Sequence, residues 1–249
     1  MKKTIFVGLV LGMMIGTERV ESADLYVPGS YTTIQTAVNA AINGDTIYVS
    51  AGTYTETVSI NKRINLVGID MPTIDAPPLY EAGYYNTVVF DGDSADNASL
   101  SGFRITGAKN VGWTYMMAGV VCTNGADPSI TNNIIFGNRG AGISCYSSSS
   151  PTITNNTITG NSCYGIYCYS SSPSITNNTI TRNSSIGIRC WYSSPSITNN
   201  TISGNEYHGI DCYSSSPSIT NNIVTENGTT SEDYTQTNQV CKNCVCLWF

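Results

Sequence analysis

The decapeptide SPSITNNTIT at residues 172–181 returns at 194–203 as SPSITNNTIS, and kindred phrases open at Pro128, Pro151 and Pro217. The five prolines step along the chain by 23, 22, 22 and 22 residues, and the text between them keeps the same step. A period of this size marks stacked structural repeats. Each repeat reads Gly-Ile-x-Cys-aromatic, a Ser-rich turn, Ser-Ile-Thr, a pair of asparagines, (Thr/Ile)-Ile-Thr and a polar turn. These are three short stretches of alternating polarity, hence three short strands per repeat. They do not suit a meander of two-residue hairpins. They suit one coil of a three-sided solenoid, with the strands named here as its first, second and third sides. Each strand then pairs in parallel with its equivalent in the next coil, about 4.8 Å away.

Stacking of this kind turns equivalent positions into columns. Four inward columns follow from the alternation: Val120/Ile143/Ile166/Ile188/Ile210, Cys122/Cys145/Cys168/Cys190/Cys212, Ile130/Ile153/Ile175/Ile197/Ile219 and Ile135/Ile158/Ile180/Ile202/Val224. Together they make a continuous apolar core. In the pairs from Asn132-Asn133 to Asn221-Asn222, one asparagine is suited to the left-handed conformation of a tight turn and to hydrogen bonding with its neighbour in the next coil. The repeated phrase is therefore mainly scaffold.

Upstream, Ile34, Ala37, Val38, Ala41 and Ile42 fall at helical spacing, with Thr32 and Gln35 as an expected capping box and Gly44 as the stop. Short strands carrying Ile47/Val49, Val58/Ile60 and Ile64/Leu66 follow, which gives about eight coils in all. Before them, Lys2-Lys3, the apolar run TIFVGLVLGMMIG and the small-residue site Val20-Glu21-Ser22 read as a secretory signal over residues 1–22, with Ala23 an equally acceptable last residue. The apolar run is short for a membrane span, and no later segment is long and apolar enough to be one. The expected location is secreted, periplasmic or cell-surface. With 11 basic against 17 acidic residues and a formal charge of -6, no basic run is present to neutralise phosphates, so nucleic acid is excluded as a partner.

The stretch TIQTAVNAAINGDTIYVSAGTYTETVSINKRINLVG, followed by SLSGFRITGA and the ITNNTITGN repeats, resembles the right-handed parallel β-helix proteins of the pectin-lyase-like superfamily, and within it the repeat-rich group that includes the NosD-type periplasmic proteins. The resemblance covers nearly all of the chain after the signal. It implies an all-β, single-stranded right-handed parallel β-helix over residues 23–228, capped by the short helix, with residues 229–249 as a polar linker and Cys-rich tail. It does not imply one activity, because lyases, hydrolases, esterases, epimerases and adhesins share this fold.

By the same resemblance, the first side carries the substrate face. Its outward columns are Ser144/Tyr167/Arg189/Asp211 and Tyr146/Tyr169/Trp191/Tyr213, with Tyr192 alongside. An array of outward aromatic rings offers apolar faces to sugar rings, so Tyr146, Tyr167, Tyr169, Trp191, Tyr192 and Tyr213 are the expected polysaccharide-binding residues. The alternative is stacking for its own sake, since aromatics favour strands and pair well across them. Arg189 and Asp211, with Glu206 and His208 in the adjoining turns, form the expected catalytic set if the protein is a lyase or hydrolase of acidic glycans. A cross-strand ion pair explains Arg189 and Asp211 equally well. The enzyme families use several charged residues from neighbouring coils, and the Asp-Pro-His signature of alginate epimerases is absent here, since Ser129 follows Asp127-Pro128. Three readings therefore stand: polysaccharide binding, catalysis on a polysaccharide, and a structural or adhesive surface module.

Asp91, Asp93 and Asp96 fall within one expected turn, a spacing that would suit calcium, although it lacks the EF-hand pattern. The nine cysteines are odd in number, and the five of the inward column read as buried, reduced packing residues. Cys241, Cys244 and Cys246 lack the fourth ligand a thiolate metal site usually needs. Regular outward threonines on the second and third sides would also suit ice binding. The sequons at Asn155, Asn177 and Asn199 coincide with the asparagine turns, where a ladder role would compete with glycosylation. The last coil leaves strand edges open, to be covered by the tail or by self-association with another chain.

Overall fold

The computed structural model describes residues 21–78, 86–109 and 117–228, together with the backbone of the strand Cys244–Leu247. Most of the predicted leader, the linker from 229 and Cys241 lie outside the described residues. Among those described, the strands form three parallel sheets, one for each side of the solenoid. The second side has nine strands and the first and third have eight each. The ninth strand of the second side is Asp24–Val27, which pairs in register with Thr46–Val49 and adds a partial coil to the eight expected.

Equivalent residues of successive coils pair directly. Ile143 faces Ile166, Ile166 faces Ile188 and Ile188 faces Ile210, while Cys145, Cys168, Cys190 and Cys212 follow the same register two residues on. Three of the expected inward columns are buried throughout, and the fourth is buried up to Ile219, which packs against the core from the last coil. The core continues without a break from Leu25 and Ile47 at one end to Val224 at the other.

Each strand is only three to six residues long because a left-handed residue stops it. Asn132, Asn155, Asn177, Asn199 and Asn221 all take φ near +56° at the turn between the second and third sides. The next residue in each pair, Asn133, Asn156, Asn178 or Asn200, turns inward and is buried. The expected two roles of an asparagine are thus divided between the two members of the pair. A second ladder occupies the turn from the third side back to the first, where Gly137, Gly160, Arg182, Gly204 and Glu226 take positive φ and Asn138, Asn161, Asn183, Asn205 and Asn227 follow, all buried. Its signal was present as an asparagine repeating at the coil period. At the remaining turn Ser171 donates its backbone N–H to Ser193 Oγ, and Ser193 donates to Ser215 Oγ. All three corners therefore carry a left-handed residue followed by a buried polar ladder.

The helix spans Ile34–Ala40 and closes the first coils with Ile34, Ala37 and Val38. Its capping box is Thr33 with Thr36, one residue beyond the pair expected from the sequence. The carboxylate of Glu56 decides the frame, because it accepts the backbone N–H groups of Ile34 and Gln35 at 2.8 Å each. Those two donors have no partner within a helix that starts there. At the far end, Cys244–Leu247 pairs in parallel with Ile210–Tyr213, so the tail covers the open edge of the first side. No helix of the described residues is long and apolar enough to cross a membrane.

Candidate functional site

The outer surface of the first side is where residue identity changes from coil to coil. One outward row runs Val121, Ser144, Tyr167, Arg189 and Asp211, and the next runs Tyr146, Tyr169, Trp191 and Tyr213, each pair in direct register. The rings point outward as expected, but they do not stand free. Tyr164 and Ile186, from the turn between the third and first sides, pack beside Val121 and Tyr167 to make a second apolar cluster outside the solenoid. Tyr167 is consequently buried, Tyr146, Tyr169, Trp191 and Tyr213 are half-buried, and Tyr192 alone of the six is open, at 54% exposure.

The rings touch in sequence. Centroids lie 6.3 Å apart from Tyr167 to Tyr169 and from Tyr169 to Trp191, and 5.5 Å apart from Trp191 to Tyr213. Tyr192 occupies the left-handed position of its turn, with φ of 52°, which swings its ring back over the strands. There it meets Tyr169 at 6.2 Å and Tyr213 at 5.9 Å, edge to face with both. Ring pairs of this kind contribute about 0.5–1.5 kcal/mol each beyond the area they bury.

Arg189 is held from several directions. Its Nη1 lies 2.5 Å from Oδ2 of Asp211, the residue facing it in the next coil. Its guanidinium sits 5.3 Å from the Trp191 ring and 5.9 Å from the Tyr164 ring. Three buried polar atoms on this face, Arg189 Nε, Trp191 Nε1 and Ser144 Oγ, have no hydrogen-bond partner. Each such atom is costly to bury unsatisfied, and all three lie beneath the surface of the face.

Burial pushes the Tyr167 phenol up to about 12, although Arg189 opposes the shift. The Tyr146 phenol is raised by burial against a hydrogen bond with Thr123, and the Cys163 thiol is raised by burial as well. All three groups therefore carry their protons at neutral pH.

A family profile described as a right-handed β-helix region matches residues 79–198 and 118–246, most of the chain. The chain belongs to the right-handed β-helix family. The handedness expected from the sequence stands, and the pectin-lyase-like superfamily fits this assignment. Among solved structures, the A-module of Azotobacter vinelandii mannuronan C-5 epimerase AlgE4 aligns at 15% identity over 83% of this chain and 94% of its own, with a TM-score of 0.35. The A-module of the AlgE6 epimerase from the same organism aligns at 12% identity over 82% and 94%, with a TM-score of 0.25. No curated protein matches the sequence at a significant level.

Within this β-helix, the expected site residues fall into separate groups. Arg189 and Asp211 are joined, and the aromatic residues surround them. Glu206 lies exposed and His208 half-exposed in the turn that precedes Asp211, and the contact that positions His208 is its backbone carbonyl, which accepts from Gly187 N–H. Asp91, Asp93 and Asp96 surround a 3-10 turn at Asp93–Ala95. Asp91 accepts from the Asn124 side chain and Asp96 from the Asp127 backbone, so two of the three carboxylates serve the turn of the next coil. No three or more His, Cys, Asp or Glu side chains among the described residues are grouped to hold a metal ion. The inward cysteines are not joined by disulfides, and a hydrogen bond with Cys122, reinforced by burial, raises Cys145 well above the ordinary thiol range. The sequon residues Asn155, Asn177 and Asn199 are exposed, because the ladder belongs to their neighbours.

Proposed function

We propose that this β-helix is exported and holds a polysaccharide along the outer face of its first side. The observation that carries the reading is the contiguous ring cluster from Tyr167 to Tyr213, with Tyr192 open at its edge and the partly exposed Arg189 side chain beside it. Rings supply apolar faces for pyranose C–H groups, and the partly exposed Arg189 side chain suits sugar hydroxyls or a uronate. Scaffold stacking alone accounts for rings in register, but it gives no reason for the Tyr192 ring to stand 54% exposed at the edge of the cluster.

The test is retention of the protein on a panel of acidic and neutral polysaccharides, with and without calcium. Tyr192→Ala and Trp191→Ala should each weaken retention about tenfold or more, since truncated aromatic anchors typically cost 2 kcal/mol or above. Absence of retention on every glycan returns the face to a structural or adhesive role. The two strand edges that the Cys244–Leu247 strand does not cover, Ser218–Thr220 and Ile223–Thr225, are where self-association would add a second chain, and sedimentation reads it directly.

A catalytic reading is favoured by one feature. Tyr167 keeps its proton through the physiological range and is paired in register with Arg189, so a proton donor adjoins a cation that could fix a uronate. Against it, Arg189 is already committed to Asp211. Product formation that disappears in both Arg189→Ala and Asp211→Ala would establish a lyase or hydrolase.

A further inference from the structure

The carboxylate of Asp45 is fully buried at the start of the solenoid. Its Oδ2 accepts the backbone N–H of Ile42 at 2.8 Å, and its Oδ1 accepts the backbone N–H of Ala23, also at 2.8 Å. Ala23 is thus built into the first coil. Its carbonyl also accepts the N–H of Thr46 at 3.0 Å, the bond that opens the ladder between the first two strands of the second side. The residue before it, Ser22, is exposed and lies against Gly44 at the rim of a small polar pocket shared with Asp24 and Thr46.

We infer that the chain is cut between Ser22 and Ala23, and that the new α-ammonium of Ala23 forms an ion pair with buried Asp45. The inference rests on the export reading of the N-terminal segment. That segment leaves two bonds equally acceptable to a processing peptidase, and the tertiary contacts separate them. Hydrolysis after Ala23 removes both the donor to Asp45 and the acceptor for Thr46. Hydrolysis after Ser22 keeps both and converts a neutral donor into a charged one.

The step is an ordinary peptide hydrolysis catalysed by a leader peptidase. Water adds its hydroxyl to the Ser22 carbonyl carbon, the C–N bond breaks, and the Ala23 nitrogen leaves as an amine that is protonated at neutral pH. A charged donor facing a carboxylate makes a hydrogen bond roughly twice as strong as a neutral one, and burial removes the water that would screen it. The other ammonium protons face the polar pocket at Ser22, which that serine vacates on cleavage. Removal of the leader would then lock the first coil as well as release the protein.

The experiment expresses the full 249-residue chain in an exporting host and sequences the N-terminus of the exported protein. Its melting temperature is compared with that of the uncut chain made inside the cell, each with and without Asp45→Asn. The expected result is Ala23 as first residue, a melting temperature about 2–8 °C above that of the uncut chain, and loss of that gap in Asp45→Asn. A start at Asp24 or elsewhere in exported protein overturns the cut site and leaves export standing. Recovery only in the cytosol with residues 1–22 attached overturns export and the cut together. A start at Ala23 with equal melting temperatures overturns the ion pair, and this comparison does not depend on the variant folding.

Discussion

Asn156 donates both its backbone N–H and its side-chain amide to one atom, Oδ1 of Asn178, at 2.9 and 3.1 Å. Asn178 does the same to Asn200, and its amide also reaches the carbonyls of Ile153 and Thr176. Every amide group in this column thus serves the coil on either side. Replacing Asn178 by Ala removes the acceptor of the buried Asn156 backbone N–H, while the Asn156 amide keeps the carbonyls of Ile130 and Thr154, so a loss of about 2 kcal/mol is expected, at roughly 1–3 kcal/mol for a group left unpaired. Chemical denaturation of the variant measures it. Replacement of the adjacent exposed Asn177 by Gly, which accepts the same left-handed φ, should change stability by less than about 1 kcal/mol.

Gly165 marks a close approach of one coil to the next. A Cβ there would lie 2.5 Å from Ile180 Cγ2 and 2.6 Å from the Gly187 carbonyl oxygen. The backbone oxygen cannot move without breaking the ladder. Gly165→Ala should therefore cost about 2 kcal/mol or more through overpacking. Gly160→Ala, where nothing lies within 4 Å, should cost only the about 1 kcal/mol of a left-handed φ. Paired thermal melts of the two variants separate contact from conformation.

Arg189 and Asp211 are mostly buried, at 22% and 11% side-chain exposure. Removing either partner leaves the other charge partly desolvated, so Arg189→Ala and Asp211→Ala should each lose about 2 kcal/mol, below the cost of a fully buried pair because some solvent remains. A double-mutant cycle should show the double variant losing less than the sum of the single losses. Additive losses would show that the two side chains are not coupled.

Tyr167 predicts an alkaline limb of stability. Its phenol titrates near 12 when folded and near 10 in an unfolded chain. The folded-state value is the higher one, so its contribution is intact below pH about 10 and is lost as pH rises toward 12, because only the unfolded chain ionises in that window. Denaturation midpoints measured across this range should fall less steeply in Tyr167→Phe than in the wild type. Equal slopes would place that phenol in contact with water.

The even step of Pro128, Pro151, Pro173, Pro195 and Pro217 was enough to place the strands, the inward isoleucines and the cysteine column, since parallel in-register stacking converts a sequence period directly into columns. The facing of Arg189 and Asp211 was legible for the same reason. Less legible were features set by contacts between coils. Glu56 selects Thr33 over Thr32 as the helix cap, and Tyr164 and Ile186 fold over the first side and bury Tyr167. The aspartates at 91, 93 and 96 looked alike in sequence, but two accept hydrogen bonds from different residues of the following coil.

Repetition by itself determined the solenoid, its three sides and the register of its core, because a fixed period and alternating polarity admit one way to stack. The tertiary structure alone decided which outward groups are open and which are spent. Exposure and hydrogen bonding depend on residues one coil away, so Tyr192 stands clear, Tyr167 is covered and Ala23 reaches Asp45 for reasons no local pattern contains.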